Sequence, residues 1–166
     1  LNVKFVLEEE TVEAVNGISL QIREGETLGL VGETGAGKTT TALSILRLID
    51  SPPGVMECDK LEVCGEDILH MSVAEHTRGS LVSMIFQDPM TSLNPVFTVG
   101  YQIAESLERH EHLNKQEAWE KAEDMLELVG IPRERAIEYP HQFSGGMKQR
   151  VIIAIALACS PKLLIA

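Results

Sequence analysis

The stretch Gly32-Glu33-Thr34-Gly35-Ala36-Gly37-Lys38-Thr39 constrains this chain more than any other. It fits the pattern G-x-x-x-x-G-K-[S/T] at every defined position. Strand-like residues precede it (Thr27, Leu28, Gly29, Leu30, Val31). A helical stretch follows, with Ala42, Ile45, Leu46 and Ile49 at spacings of three and four. Strand, glycine loop, helix is the context in which this pattern holds phosphate. The glycines let backbone N–H groups turn inward onto phosphate oxygens, and the positive end of the helix favours the same anion. Lys38 can reach the β- and γ-phosphates, and the Thr39 hydroxyl can ligate Mg²⁺. The nucleotide-binding set expected here is Gly32, Glu33, Thr34, Gly35, Ala36, Gly37, Lys38, Thr39 and Thr40.

The 166 residues suffice for one domain with a real core, and 44% of them are hydrophobic. The longest unbroken apolar run, 151–159, has nine residues and is too short to cross a bilayer. Residues 1–5 lack the charged region and long apolar run of a secretory signal. A net charge of −11 argues against phosphate-backbone binding as the main role. Cys58, Cys64 and Cys159 are odd in number and lack C-x-x-C spacing, so they read as free thiols.

The first 23 residues look β-rich. Residues 3–6 form a strand candidate, and 18–23 alternate apolar and polar as a half-buried antiparallel strand does. Glu8-Glu9-Glu10 reads as a solvated turn. Pro52-Pro53-Gly54 ends the helix that follows the glycine loop. Short strands are expected at 61–63 and 81–86, the second delivering Gln87-Asp88-Pro89 to its C-terminal end, where ligands of α/β sheets sit. From about residue 91 the pattern turns helical. Thr98 is an N-cap candidate for a helix with a Val99, Ile103, Leu107 stripe. Asn114 and Glu117 match a capping box, Leu113 can staple onto Ala118, and Gly130 stands where a C-terminal glycine belongs. Ala118, Ala122, Met125, Leu126 and Val129 line one face, with Trp119 beside it. Pro132 and Pro140 bracket a short helical piece. A helix is expected from Ser144 to about Cys159, followed by an apolar strand from Leu163.

Phe143-Ser144-Gly145-Gly146-Met147 is the second constellation. A capping serine followed by two glycines supplies a hydroxyl, free N–H groups and a positive dipole end, which makes a second anion site. With the glycine loop about a hundred residues upstream and Gln87 between them, the chain resembles the ATP-binding subunits of ABC transporters. The resemblance covers essentially the whole chain: 32–39 as Walker A, Gln87 as the Q-loop glutamine, 143–147 as the signature. The stretches 87–95 and 141–150 look most like the oligopeptide, dipeptide and nickel importer branch. Phe143 and Met147 depart from the usual L-S-G-G-Q but are typical of that branch.

The resemblance implies an α/β fold: a P-loop NTPase core with an N-terminal antiparallel β layer and an inserted α-helical subdomain. It implies residues 1–90 and 151–166 as core and 91–150 as the helical subdomain ending in the signature. ATP and Mg²⁺ are the implied cofactors. Two subunits would pair head to tail as a homo- or heterodimer, with Ser144, Gly145, Gly146 and Met147 of one capping the ATP of the other. Gln87 would sense Mg²⁺ and the attacking water, and Thr39 would join it at the metal. The subunit would sit peripherally on the cytoplasmic face of the membrane. Its 91–140 segment would dock a transmembrane permease fed by an extracytoplasmic binding protein. The transported substrate is expected to be a peptide, with nickel as the rival. Phe5 is a candidate for stacking on adenine, and a strand residue packed in the β layer accounts for it equally.

Asn114-Lys115-Gln116-Glu117 brushes the guanine motif N-K-x-D, but it ends in Glu and no D-x-x-G occurs. A DNA-acting ABC ATPase would place long coiled coils between loop and signature, and no sustained heptads occur. His110-Glu111-His112 reads as a solvated helix end, since residues two apart on a helix do not share a face. His141 reads as structural, and Lys148 and Arg150 as solubilising charge or attraction for the partner's nucleotide.

The resemblance also calls for an acidic Walker B residue and a catalytic glutamate after an apolar strand. Leu163-Leu164-Ile165-Ala166 is that strand, and the acids are not among the 166 residues. The expectation is therefore a fragment of a longer ATPase with an incomplete core sheet, and a non-catalytic nucleotide-binding module is the other reading. Polypeptide limited to these residues should bind nucleotide weakly and not turn it over. A steady-state Mg·ATP hydrolysis assay on material free of contaminating ATPase checks this, and multiple turnovers would refute it.

Overall fold

Val3 and Val15 face one another across an antiparallel strand pair, 1% and 7% exposed, and form the inner face of the first unit. They belong to β1 (Asn2–Val6) and β2 (Thr11–Val15), whose alternating valines suit a pleated surface with one buried side. The register shifts between Val3 and Lys4, as at a β-bulge. The computed structural model describes residues 1–71, 79–86 and 92–166. These divide into two units, Leu1–Ala74 and Glu75–Ala166.

In the first unit β3 (Gly54–Glu57) joins the free edge of β1, giving an antiparallel sheet in the order β2-β1-β3. The 8–10 turn is exposed and closed by the Leu7 N–H donating to the Glu10 carbonyl at 2.9 Å. A two-stranded hairpin follows, β4 (Glu62–Val63) and β5 (Glu66–Asp67). The expected antiparallel β layer is present, with β2 as a strand that the sequence reading missed.

Two expected strands do not form. Residues 18–23 and 27–31 make no ladder, and Leu20, Ile22, Leu28, Leu30 and Val31 are all exposed. Alternation marks a chain that can line a sheet, but a strand exists only where a neighbour completes its hydrogen bonds. Ile18 exchanges hydrogen bonds with Leu1, its N–H donating to the Leu1 carbonyl at 3.1 Å and its carbonyl accepting from the Leu1 amine at 2.7 Å, but among the described residues no strand ladder extends along either segment.

Helix α1 (Lys38–Ile45) begins at Gly37, whose φ of 78° is left-handed. A Cβ on Gly37 would fall onto the Ala14 carbonyl oxygen, so the approach of the loop's end to β2 requires glycine twice over, for torsion and for space. The expected inner stripe of α1 is corrected. Thr41 and Ser44 are its buried residues, with Leu46 beyond, while Ala42, Ile45 and Ile49 are half-buried. Burial of the two hydroxyls is tolerated because each bonds back along the helix: Thr41 Oγ1 donates to the Gly37 carbonyl at 2.9 Å and Ser44 Oγ to that of Thr40 at 2.7 Å. After α1, Arg47 Nη1 donates to the Ile68 and Met71 carbonyls at 3.3 and 2.9 Å and ties the chain to the turn beyond β5.

Among its described residues the second unit holds a parallel pair, β6 (Val82–Met84) and β7 (Leu163–Ile165), and three α-helices. In β7, Leu164 is 40% exposed while Leu163 and Ile165 are half-buried. Helix α2 (Val99–Glu111) is capped by the Thr98 hydroxyl, which accepts from the Tyr101 N–H. Helix α3 (Lys115–Leu128) opens with the full capping box: Asn114 Oδ1 accepts from the Gln116 and Glu117 N–H groups at 3.0 Å, and Glu117 accepts from the Asn114 N–H. It closes in a Schellman turn, with Ile131 N–H on the Leu126 carbonyl, Gly130 N–H on that of Glu127, and Gly130 at φ 75°.

Val99, Ile103, Leu107, Ala118, Ala122 and Leu126 are fully enclosed and pack with Val151, Ile152 and Ala154 of α4 (Gly145–Leu157) into one core. Truncating a residue such as Leu107 in such a core costs about 2–5 kcal/mol. Trp119 is half-buried against the core and donates through Nε1 to Glu123 at 2.8 Å. At the end of α2, His112 is left-handed and Glu111 is ion-paired with Lys121 of α3. No described helix is long and apolar enough to cross a membrane.

Two outcomes follow from this packing. Gly37→Ala should destabilise the protein by about 2 kcal/mol or more, from left-handed strain plus collision with Ala14. Thermal unfolding with and without nucleotide measures it. Burial, reinforced by Glu111, pushes the Cys159 thiol up to about 11. At pH 8 a thiol reagent should therefore modify exposed Cys64 in the native protein and reach Cys159 only after unfolding.

Candidate functional site

The loop ahead of α1 is exposed from Gly32 to Ala36, and Gly37, Lys38 and Thr40 are half-buried. Gly35 and Gly37 are both left-handed, at φ 85° and 78°, which turns successive peptide units about one concavity. The Ala36 N–H donates to the Glu33 carbonyl at 3.2 Å and closes the turn. Lys38 folds back over the loop, its Nζ donating to the Gly32 carbonyl at 2.6 Å and the Glu33 carbonyl at 2.7 Å. The ammonium thus sits over the loop that its own backbone builds.

No side chain caps α1. The first turn of a helix has N–H groups without intrahelical partners, and a residue with no side-chain acceptor leaves them for an external anion. Thr39 presents an exposed hydroxyl in that turn, a hard oxygen donor of the kind Mg²⁺ takes. Phe5 lies on β1 opposite Gly54, with its Cε1 beside the space a Gly54 side chain would occupy, and is half-buried. Gln87 lies outside the described residues, as do Asp88, Pro89, Met90 and Thr91.

The second glycine site opens α4. Ser144 is extended, and its hydroxyl accepts from the Met147 N–H at 3.4 Å. Gly145 and Gly146 have no positive φ, and a Cβ on either would meet nothing within 4 Å. Nothing among the described residues therefore demands glycine at these two positions. Ser144, Gly145 and Gly146 are exposed, Met147 is half-buried, and Phe143 behind them is 5% exposed.

Arg135 holds this turn from the side, and the sequence reading passed over it. It lies in the 3₁₀ turn Arg133–Ile137 and bonds Glu138 through Nε at 2.9 Å and Nη2 at 2.6 Å. The guanidinium lies 4.3 Å over the Phe143 ring. Its hydrogen bond to Glu138 raises Arg135 above the usual guanidinium range, and the reciprocal bond holds the Glu138 carboxyl below the usual carboxylate range. The available signal was a three-residue Arg-to-Glu spacing just ahead of the Phe-Ser pair. His141 is exposed and stacks on Tyr139 with ring centroids 5.8 Å apart.

The first unit thus gathers residues 32–40 into one glycine turn and helix start, with Phe5 on its antiparallel sheet. The second gathers residues 144–147 at another helix start. Each presents backbone N–H groups and a positive dipole end, suited to phosphate oxygens.

The chain is similar to several known proteins. The glutathione import ATP-binding protein GsiA of Shigella dysenteriae serotype 1 (strain Sd197) is 47% identical over 175 aligned residues, covering all of this chain and 28% of the relative. Its counterpart in Escherichia coli (strain K12) is 46% identical with the same coverage. The chain thus spans 28% of the length of these curated relatives. Among solved structures, a dimeric post-hydrolysis state of the ATP-binding cassette MJ0796 bound to ADP and Pi superposes with a TM-score of 0.79 at 25% identity, over 98% of this chain and 69% of that one. A dimeric structure of MJ0796, a bacterial ABC transporter cassette, gives a TM-score of 0.73 at 26% identity, over 98% and 72%. The fold is that of an ABC ATPase cassette with incomplete sheets. A family model described as ABC transporter matches residues 15–166, and the chain belongs to that family.

Proposed function

We propose that this chain is the ATP-binding part of an ABC importer, coupling ATP binding and hydrolysis to uptake of peptides or peptide-like substrates, with nickel as the rival cargo. The relatives at 46–47% identity are glutathione import proteins, and glutathione is a small peptide-like molecule. They also count against a DNA-acting role, as does the net charge of −11.

In this reading residues 1–90 and 151–166 form the nucleotide-binding core with its β layer, and 91–150 form a helical subdomain ending in the signature. Gly32, Glu33, Thr34, Gly35, Ala36, Gly37 and Thr40 surround the phosphates of ATP, and Lys38 neutralises them. Thr39 and Gln87 would hold Mg²⁺, which would offset the charge that develops on the phosphates. Gln87 also orients water, and Phe5 stacks on adenine. Ser144, Gly145, Gly146 and Met147 cap the ATP of a second subunit arranged head to tail. The assembly works on the cytoplasmic face of the membrane against permease subunits, which a binding protein supplies.

The observation that carries the reading is the helix start at Gly145 and Gly146. Glycine there weakens a helix relative to alanine, and the described residues give no steric reason for it. A ligand whose oxygens must come close to those N–H groups does give one.

The test is Gly146→Ala in the full-length protein. Stability should hold or rise by roughly 0.5 kcal/mol, while ATP hydrolysis falls by about tenfold or more because the methyl occupies the approach path. A melting curve and a steady-state ATPase assay read both, and wild-type hydrolysis would sink the proposal.

A further inference from the structure

The Ser144 cap is long, at 3.4 Å, and the two residues after it are glycines with open space around them. Such a turn does not hold its own shape well, since glycine has the widest backbone freedom. Arg135 supplies the missing frame. Its Nη2 donates to the Gln142 carbonyl at 3.2 Å, its plane covers the buried Phe143 ring, and its Nη1 reaches the Met147 sulfur at 3.3 Å. One guanidinium therefore touches the residues on both sides of the exposed Ser144-Gly145-Gly146 segment and none within it. Glu138 accepts from Nε and also from Nη2, a paired contact that orients the guanidinium.

We propose that Arg135 is a positioning residue for the signature turn: it clamps Gln142, Phe143 and Met147 so that the N–H groups of Gly145 and Gly146 are aimed before the second subunit's nucleotide arrives. This rests on reading Ser144, Gly145 and Gly146 as the cap on that nucleotide. A surface ion pair alone would carry little weight. The planar fork, which lysine cannot reproduce, is what spans the two flanks.

The experiment uses the full-length protein with Arg135→Ala, Arg135→Lys and Ser144→Arg. Arg135→Ala should lower kcat for ATP by about tenfold, because small misplacement of a charge-stabilising group is costly. The Kd for a fluorescent ATP analogue on the protein's own phosphate loop should stay within about twofold of wild type. Arg135→Lys keeps the pairing with Glu138 but not the contacts to both flanks. It should show an intermediate loss of kcat with unchanged Kd, and it decides the matter if the alanine variant fails to fold. Wild-type kcat in the arginine variants, or an equal loss of kcat and nucleotide affinity, overturns the positioning role. Ser144→Arg separates the two ideas. If it abolishes hydrolysis while both Arg135 variants are normal, only the clamp is wrong. If it leaves hydrolysis normal, the cap reading fails with it.

Discussion

A helix N-terminus can bind an anion only if nothing in its own chain has already consumed its N–H groups. That constraint organises both glycine sites. At α1 the cap residue is Gly37, which has no side chain to offer. At α4 the cap is a serine with a long bond, followed by two glycines in ordinary helical torsion. Most helices would be stabilised by better caps, typically by about 1 kcal/mol each. Here the starts are left open, and stability comes from elsewhere.

The two units supply it differently. Helix α1 is seated by backbone approach: Gly37 lies against Ala14 of β2, and the buried Thr41 and Ser44 satisfy their hydroxyls on the helix itself. Helix α4 is seated by apolar area, with Val151 and Ala154 fully enclosed and Ile152 6% exposed in a core shared with α2 and α3. Those two helices carry the strong terminal devices, a threonine cap on α2 and a capping box and Schellman turn on α3. Helices α2 and α3 are closed at their ends, whereas α1 and α4, with open starts, are held by their flanks.

What the sequence revealed follows the same division. Caps are local, so Thr98, Asn114, Gly130 and Ser144 were all legible from neighbours three or four residues away. The glycine loop was legible because its chemistry is written in one short run. The strands at 18–23 and 27–31 were misread because pairing is non-local, and alternation records only the capacity to pair. The inner face of α1 departs from the apolar spacing because Thr41 and Ser44 bond back to helix carbonyls, which lets them bury. Arg135 was invisible for a related reason. Its partners at 138, 142, 143 and 147 converge only once a 3₁₀ turn and a helix start fold side by side.

The posture of Lys38 sets the terms on which any phosphate enters. With Nζ already bonded to the Gly32 and Glu33 carbonyls, the charge is never bare, and an incoming anion trades places with two backbone oxygens. Recognition is then an exchange between two satisfied arrangements, and its strength is their difference. An anion that could not better two well-placed carbonyls would gain little from such a loop.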